Sequence, residues 1–252
     1  MILEGERSGK LTKDTVLLDA TSGNTGIAYA MICAIKGYRA KLCLPSNASH
    51  ERKQILKAYG AEMVFSDPGE GSDGAIRLCQ KIFAEGAEKY FYPDQYGNSA
   101  NWRAHFEGTG AEIIKQTNGR VTHFVTSMGT SGTFTGTARR LKRDVPGVKV
   151  ISAQPSSGFH GLEGLKHMES AMVPSIYDPS IADADLRVES EDAFEMVRRL
   201  AREEGVMAGI SSGAAIAAVL QVAKGLKSGI IVTVCPDGAE KYLTEKFWTA
   251  DA

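Results

Sequence analysis

The chain has 252 residues, 43% of them hydrophobic, and its 29 Lys and Arg against 30 Asp and Glu leave a net charge of -1. That is enough apolar material for one large domain or two lobes, and without a Lys/Arg stripe it argues against nucleic acid and anionic membrane as partners. No apolar run approaches the ~18–20 residues that span a bilayer, and the opening stretch MILEGERSGK lacks the apolar core of a signal peptide.

In chain order, the first predicted strand is TVLLDA (15–20), followed by the almost wholly apolar helix IAYAMICAIKG, which Gly37 closes in the left-handed conformation. A strand at 40–45 (AKLCLP) precedes a helix that runs from Ser49, a candidate N-cap, to Gly60. After a strand at 62–67 (EMVFSD), SDGAIRLCQKIFAEG places Ile76, Cys79, Ile82 and Phe83 on one helical face. A short strand at 90–93 leads into the polar stretch PDQYGNSANW (93–102), the best candidate for a crossing between two lobes. Strands at 122–128 (THFVTSM), 149–154 (KVISAQ) and 229–236 (GIIVTVCP) follow. Between the last two lies a helix capped by Ser190, with Ala193, Val197 and Leu200 along its apolar stripe. The strands are mostly apolar on both faces, and strand alternates with helix. The fold class expected is therefore α/β, with parallel sheets flanked by helices.

Cys33, Cys43, Cys79 and Cys235 have no metal-like spacing. Three of the four sit in apolar runs or on an apolar helix face, as buried thiols of a cytoplasmic protein do. The five histidines are scattered, and no ligand cluster surrounds His160 or His167, so no metal is expected.

Two strand-to-helix turns are crowded with Gly, Ser and Thr: TSGNTG (21–26) after the first strand, and GTSGTFTG (129–136) after THFVTSM. Glycine lets the backbone approach a ligand, hydroxyls donate hydrogen bonds, and the following helix offers unpaired N–H groups. Either turn alone is also what an ordinary connection in an α/β fold contains. Together they suit two anionic groups, such as a phosphate and a carboxylate. Neither matches the dinucleotide or nucleotide phosphate-loop patterns.

TSGNTG, GTSGTFTG, GISSGAA (209–215) and CPDGAEKYL (235–243) stand in the order they take in the cysteine synthase family, and FVTSMGTSGT resembles its B-type members. The chain is similar to that family over essentially its whole length. The resemblance implies a pyridoxal 5'-phosphate (PLP) enzyme of fold type II, tryptophan synthase β-like and two-lobed. Residues 1–100 would form the smaller lobe, without the family's first strands and helix, and 101–252 the larger. It implies that Thr21, Ser22, Gly23, Thr25 and Gln95 grip the substrate's carboxylate, and that Asn24 bonds the cofactor's 3'-oxygen. Gly129, Thr130, Ser131, Gly132 and Thr133 would cup its phosphate, with Gly209 near the ring. The activity implied is β-replacement on O-acetylserine or O-phosphoserine by a sulfide donor to give L-cysteine, in a cytoplasmic homodimer.

Two departures from the family qualify this. The family's Schiff-base lysine lies upstream of TSGNTG in a segment resembling S-x-K-D-R, and the chain begins within the helix that follows it. The expectation is that residues 1–252 hold no catalytic residue, that Lys10 and Lys13 do not replace it, and that the chain is an inactive fragment. At the pyridine nitrogen, where the family usually has serine, CPDGAEKYL puts Asp237. Either its carboxylate meets the ring, or Cys235 or a backbone group does. The rival functions are a catalytically dead PLP-fold binding protein and, in an intact protein, cystathionine β-synthase or serine/threonine dehydratase chemistry.

Overall fold

A computed structural model describes residues 1–249. The chain divides into two compact units, Met1–Asn98 and the remainder from Ser99. The first contains α1 (Ile2–Arg7), β1 (Val16–Ala20), α2 (Asn24–Lys36), β2 (Arg39–Pro45), α3 (His50–Ala58), β3 (Glu62–Ser66), α4 (Gly71–Ala84) and β4 (Tyr90–Phe91). Its sheet is wholly parallel, in the order β3-β2-β1-β4, with Leu17 opposite both Ala40 and Phe91.

Side chains alternate across a strand, and here both faces are apolar. Leu17, Leu42 and Leu44 pack with Tyr29, Cys33 and Leu56 of α2 and α3. Leu18, Ala20 and Cys43 pack with Ala75, Ile76 and Cys79 of α4 on the other face. Gly37 ends α2 at φ 67°, the left-handed turn expected of it.

The second unit contains α5 (Ser99–Ala104), a π-helical turn (His105–Thr109), α6 (Gly110–Thr117), β5 (His123–Ser127), α7 (Gly132–Asp144), β6 (Lys149–Pro155), β7 (Ala184–Val188), α8 (Ser190–Glu204), α9 (Ile210–Lys224) and β8 (Ile231–Val232). Its parallel sheet repeats the first unit's order as β7-β6-β5-β8. Phe124, Met128 and Val150 pack with Phe134 and Leu141 of α7. Val125, Ile151, Ala153 and Val188 pack with α8 and α9. Among the described residues no helix is long and apolar enough to cross a membrane.

The sequence reading needs three adjustments. β7 was not anticipated, because as an edge strand it exposes Asp185 and Arg187 and lacks the two-sided apolar signal. The strands expected over 90–93 and 229–236 pair only at Tyr90–Phe91 and Ile231–Val232, where the chain leaves each sheet. Ser190 begins α8 instead of capping it; Glu189 takes the cap position, and the Ser190 hydroxyl accepts the Gly161 N–H at 2.9 Å.

α8 and α9 touch through Gly213, where an added Cβ would lie 2.2 Å from the Ala193 carbonyl oxygen. Gly213→Ala should therefore lower the unfolding free energy in urea by ~1–3 kcal/mol, as overpacking does. It should do so although alanine is the better helix former by ~1 kcal/mol. An unchanged denaturation midpoint would show that the two helices separate without cost.

Candidate active site

In both sheets the chain leaves the first strand, builds outward on one side, and returns to pair on the other. Such a reversal opens a crevice at the carboxyl ends of the two strands that flank it, where α/β proteins bind ligands. In the first unit those strands are β1 and β4. The Thr21–Thr25 loop follows β1, and Gln95 lies in the loop after β4. In the second unit they are β5 and β8, followed by Gly129–Thr133 and by Asp237. Ser22, Gly23, Asn24 and Thr25 are half-buried, whereas Thr21 and Gln95 are buried.

The first unit's loop is stapled from within. Thr21 Oγ1 accepts the N–H groups of Gly23 (3.3 Å) and Gly26 (3.0 Å), so its side chain turns inward. Gly26 must be glycine, since a Cβ there would meet Thr21 Cγ2 at 2.7 Å. At Gly23 a Cβ would meet nothing within 4 Å, which leaves bare backbone facing open space. The buried guanidinium of Arg52 donates to the Ser22 carbonyl at 2.9 Å.

Gln95 is drawn in by Asp19. Its N–H donates to Asp19 Oδ2 at 3.2 Å, and its Nε2 donates to the Ala20 carbonyl at 2.5 Å. Asp94 makes this turn possible at φ 50°, a left-handed conformation that Asp tolerates better than most residues. Asp19 Oδ1 accepts the Ala20 N–H at 2.8 Å, and Oδ2 accepts the Tyr29 hydroxyl at 3.0 Å. Burial pushes the Asp19 carboxyl up to about 7, against the pull of these three hydrogen bonds.

In the second unit Ser131 adopts φ 70° immediately before α7, at a helix N-terminus whose first-turn N–H groups have no partner within the helix. Ser131 Oγ is buried and meets no protein partner among the described residues. A phosphate oxygen in that position would satisfy both the hydroxyl and the first-turn N–H groups, so these residues fit the cofactor's phosphate. Two side chains brace the cup from below. Asn101 Nδ2 donates to Thr130 Oγ1 at 3.0 Å, and His105 Nε2 lies 3.2 Å from Thr133 Oγ1. Burial lowers the His105 pKa, which favours its neutral form.

Ser127 Oγ donates to the Ser211 carbonyl at 3.0 Å, which ties the start of α9 to the end of β5. Gly209 N–H donates to the Asp237 carbonyl at 3.1 Å, and a Cβ on Gly209 would lie 2.0 Å from Asp237 Oδ1. Asp237 Oδ2 accepts the hydroxyl of buried Tyr242 at 2.9 Å. Gly209 and Asp237 are thus brought together, while Cys235 is exposed.

Both candidate lysines precede β1, whereas the loop follows it. Lys13 Nζ donates to the Lys36 carbonyl and lies 4.7 Å from the centre of the Tyr38 ring, at the C-terminal end of α2. The 13 residues of α2 set that end ~20 Å from Asn24. Lys10 lines an open hollow with Arg7, Phe91 and Tyr92.

Asp19, Asp94, Arg52, Asn101 and His105 were not singled out from sequence. Asp19 alone left a signal, as the one charge in TVLLDA. Its raised pKa makes the fold's stability depend on pH. Below the unfolded value of about 3.9 both states are protonated, and the group has no effect. From there to about 7 the unfolded chain ionises first, so stability falls by up to ~1.4 kcal/mol per pH unit, then levels off. Urea denaturation at pH 5 and pH 8 should show a larger loss for the native chain than for Asp19→Asn, by on the order of 2–3 kcal/mol. Equal losses would contradict the assignment.

A family model described as pyridoxal-phosphate dependent enzyme matches residues 1–237. Among curated relatives, a cysteine synthase of Aquifex aeolicus is 50% identical over 248 residues, covering 97% of this chain and 76% of that protein. A cysteine synthase B of Pseudomonas aeruginosa is 42% identical over 244 residues, covering 97% and 81%. Among solved structures, a hydrogen sulfide-producing enzyme from Fusobacterium nucleatum is 39% identical with a TM-score of 0.91, covering 96% of this chain and 84% of that one. With a match of this extent and relatives this alike, the chain belongs to the family of pyridoxal-phosphate dependent enzymes.

Proposed function

We propose that the chain binds pyridoxal 5'-phosphate and an activated serine for β-replacement. Acetate or phosphate leaves the β-carbon, a sulfide donor takes its place, and L-cysteine results. The observation that carries this reading is the fall of the substrate and cofactor segments on the two strand-order reversals. The names of the curated relatives support it. Residues 1–100 supply the carboxylate grip, and residues 101–252 the phosphate cup. Pairing of two copies and a cytoplasmic location belong to the same reading.

When bound, the cofactor draws electrons from the substrate's α-carbon. The chain's own residues bind and orient. Ser131 Oγ and the N–H groups of Gly129–Thr133 hold the phosphate with dipoles instead of charges. Asn24 bonds the 3'-oxygen. Ser22, Gly23, Thr25 and Gln95 hold the carboxylate, and the inward Thr21 hydroxyl keeps their loop in shape. Asp237, fixed by Tyr242 and beside Gly209, is the carboxylate that would meet the pyridine nitrogen and favour its protonated form.

Neither Lys10 nor Lys13 anchors the cofactor in this reading, since both precede β1 while the loop follows it, and Lys13 is engaged at the far end of α2. Residues 1–252 by themselves then bind the cofactor with little turnover, because a positioned general base alone contributes ~10²–10⁴-fold. The same observation favours a second reading, a PLP-binding protein without turnover.

Two measurements test these points. Ser131→Gly removes the hydroxyl while suiting the left-handed backbone; it should weaken PLP binding ~10-fold or more with no loss of thermal stability. An unchanged affinity would place the phosphate elsewhere. Borohydride reduction of residues 1–252 with PLP should label no lysine stoichiometrically, and cysteine formation from O-acetylserine and sulfide should be barely detectable. A labelled Lys10 or Lys13 together with rapid turnover would overturn the assignment.

A further inference from the structure

Asp19 is the penultimate residue of β1, two positions before the loop begins, and is fully buried. Three donors converge on its carboxylate: the N–H of Ala20, the hydroxyl of Tyr29 and the N–H of Gln95. The Gln95 side chain in turn donates to the Ala20 carbonyl. Backbone and side chain of Gln95 are therefore both fastened to the Asp19–Ala20 segment, and Asp19 supplies the acceptor for the backbone.

We infer that Asp19 is a positioning residue for substrate recognition: its ionised carboxylate fixes Gln95 beside the Thr21–Thr25 loop, and protonation loosens that hold and weakens binding of the substrate's carboxylate. The inference rests on the reading of that loop and Gln95 as the carboxylate grip.

The proton logic follows from the bonding. An ionised carboxylate only accepts, and it can take all three donors. Once protonated, it must donate. The Tyr29 oxygen, 3.0 Å from Oδ2, is placed to receive that proton, and the Tyr29 hydroxyl can then turn to Met1 Sδ, 3.3 Å away. Gln95 N–H, which shared Oδ2, loses a charge-assisted acceptor.

The titratable groups around Asp19 are Tyr29 from α2, Cys43 from β2, Cys79 from α4, and Tyr92, Asp94 and Tyr96 from the segment after β4. Burial holds the three phenols far above their usual range. The hydrogen bond that the Cys79 thiol donates to Cys43, with burial, does the same for that thiol. The charge of Asp94 adds to the upward push of burial on Asp19.

The test compares O-acetylserine with its carboxamide, which lacks the carboxylate, binding to the PLP-loaded full chain by calorimetry at pH 6 and pH 8. For the native chain, the preference for O-acetylserine over the carboxamide should fall ~10-fold from pH 8 to pH 6. In Asp19→Asn that preference should be low at both pH values, with PLP affinity unchanged. If Asp19→Asn does not fold, the Gln95 amide resonance is followed by NMR. It should titrate near pH 7 in the native chain and at higher pH in Tyr29→Phe, which removes one donor from the carboxylate. If the native chain binds PLP and O-acetylserine but its preference ignores both pH and Asp19→Asn, the inference alone is overturned. A Gln95 amide that does not titrate overturns it as well. If PLP affinity falls in step with substrate affinity, the effect is general and the positioning role is refuted. If the native chain binds neither ligand, the functional reading fails and takes the inference with it.

Discussion

A strand paired along its length on one side and over only two residues on the other must find partners for the peptide groups left over. β1 pairs with β2 over five residues and with β4 over two. β5 stands in the same relation to β6 and β8. Unpaired peptide groups in a covered sheet are costly, so something must fill the gap. In the first unit Gln95 and Asp19 do so, the one bonding the Ala20 carbonyl and the other the Ala20 N–H. In the first unit, the need to complete backbone bonding thus draws polar side chains to the place where a ligand is expected. In the second unit the polar side chain at the same point acts differently: Ser127, at the end of β5, donates to the Ser211 carbonyl and holds the start of α9.

What those places hold differs in electrostatic kind. Gly129–Thr133 carry no formal charge and offer hydroxyl and N–H dipoles, with Asn101 and the uncharged form of His105 bracing them. Fixed dipoles at a helix start hold an anion without a counter-charge that could titrate. The first unit instead places a carboxylate among buried phenols and thiols, where a proton is easily gained or lost near neutrality.

Much of this was legible in the sequence. Two-sided apolar strands gave the parallel sheets, and the runs of Gly, Ser and Thr gave the loops, because both signals are local. β7 was hidden because an edge strand with Asp185 and Arg187 outside it need not be apolar. Asn101 and His105 were hidden because they support the cup from a helix and a π-helical turn whose sequence shows no sign of it. Asp19 was in plain view inside TVLLDA, yet an isolated charge in an apolar run looks like noise until its three donors are known. Thr21 stands in plain view in its motif, but that its oxygen accepts two of the loop's own N–H groups is visible only in the structure.

The two short strands also set an order on folding. Gln95 reaches back to Asp19 across 76 residues, and Ile230 to Thr122 across 108. Contacts this distant along the chain confine a long segment before they return any bonding, so they form late. With so few ladder bonds each, β4 and β8 are also the first pieces of their sheets to let go in the native protein. The segments that follow them, bearing Gln95 and Asp237, therefore depend less on ladder pairing than on the side-chain bonds that hold them, Gln95 to Asp19 and Ala20, Asp237 to Tyr242.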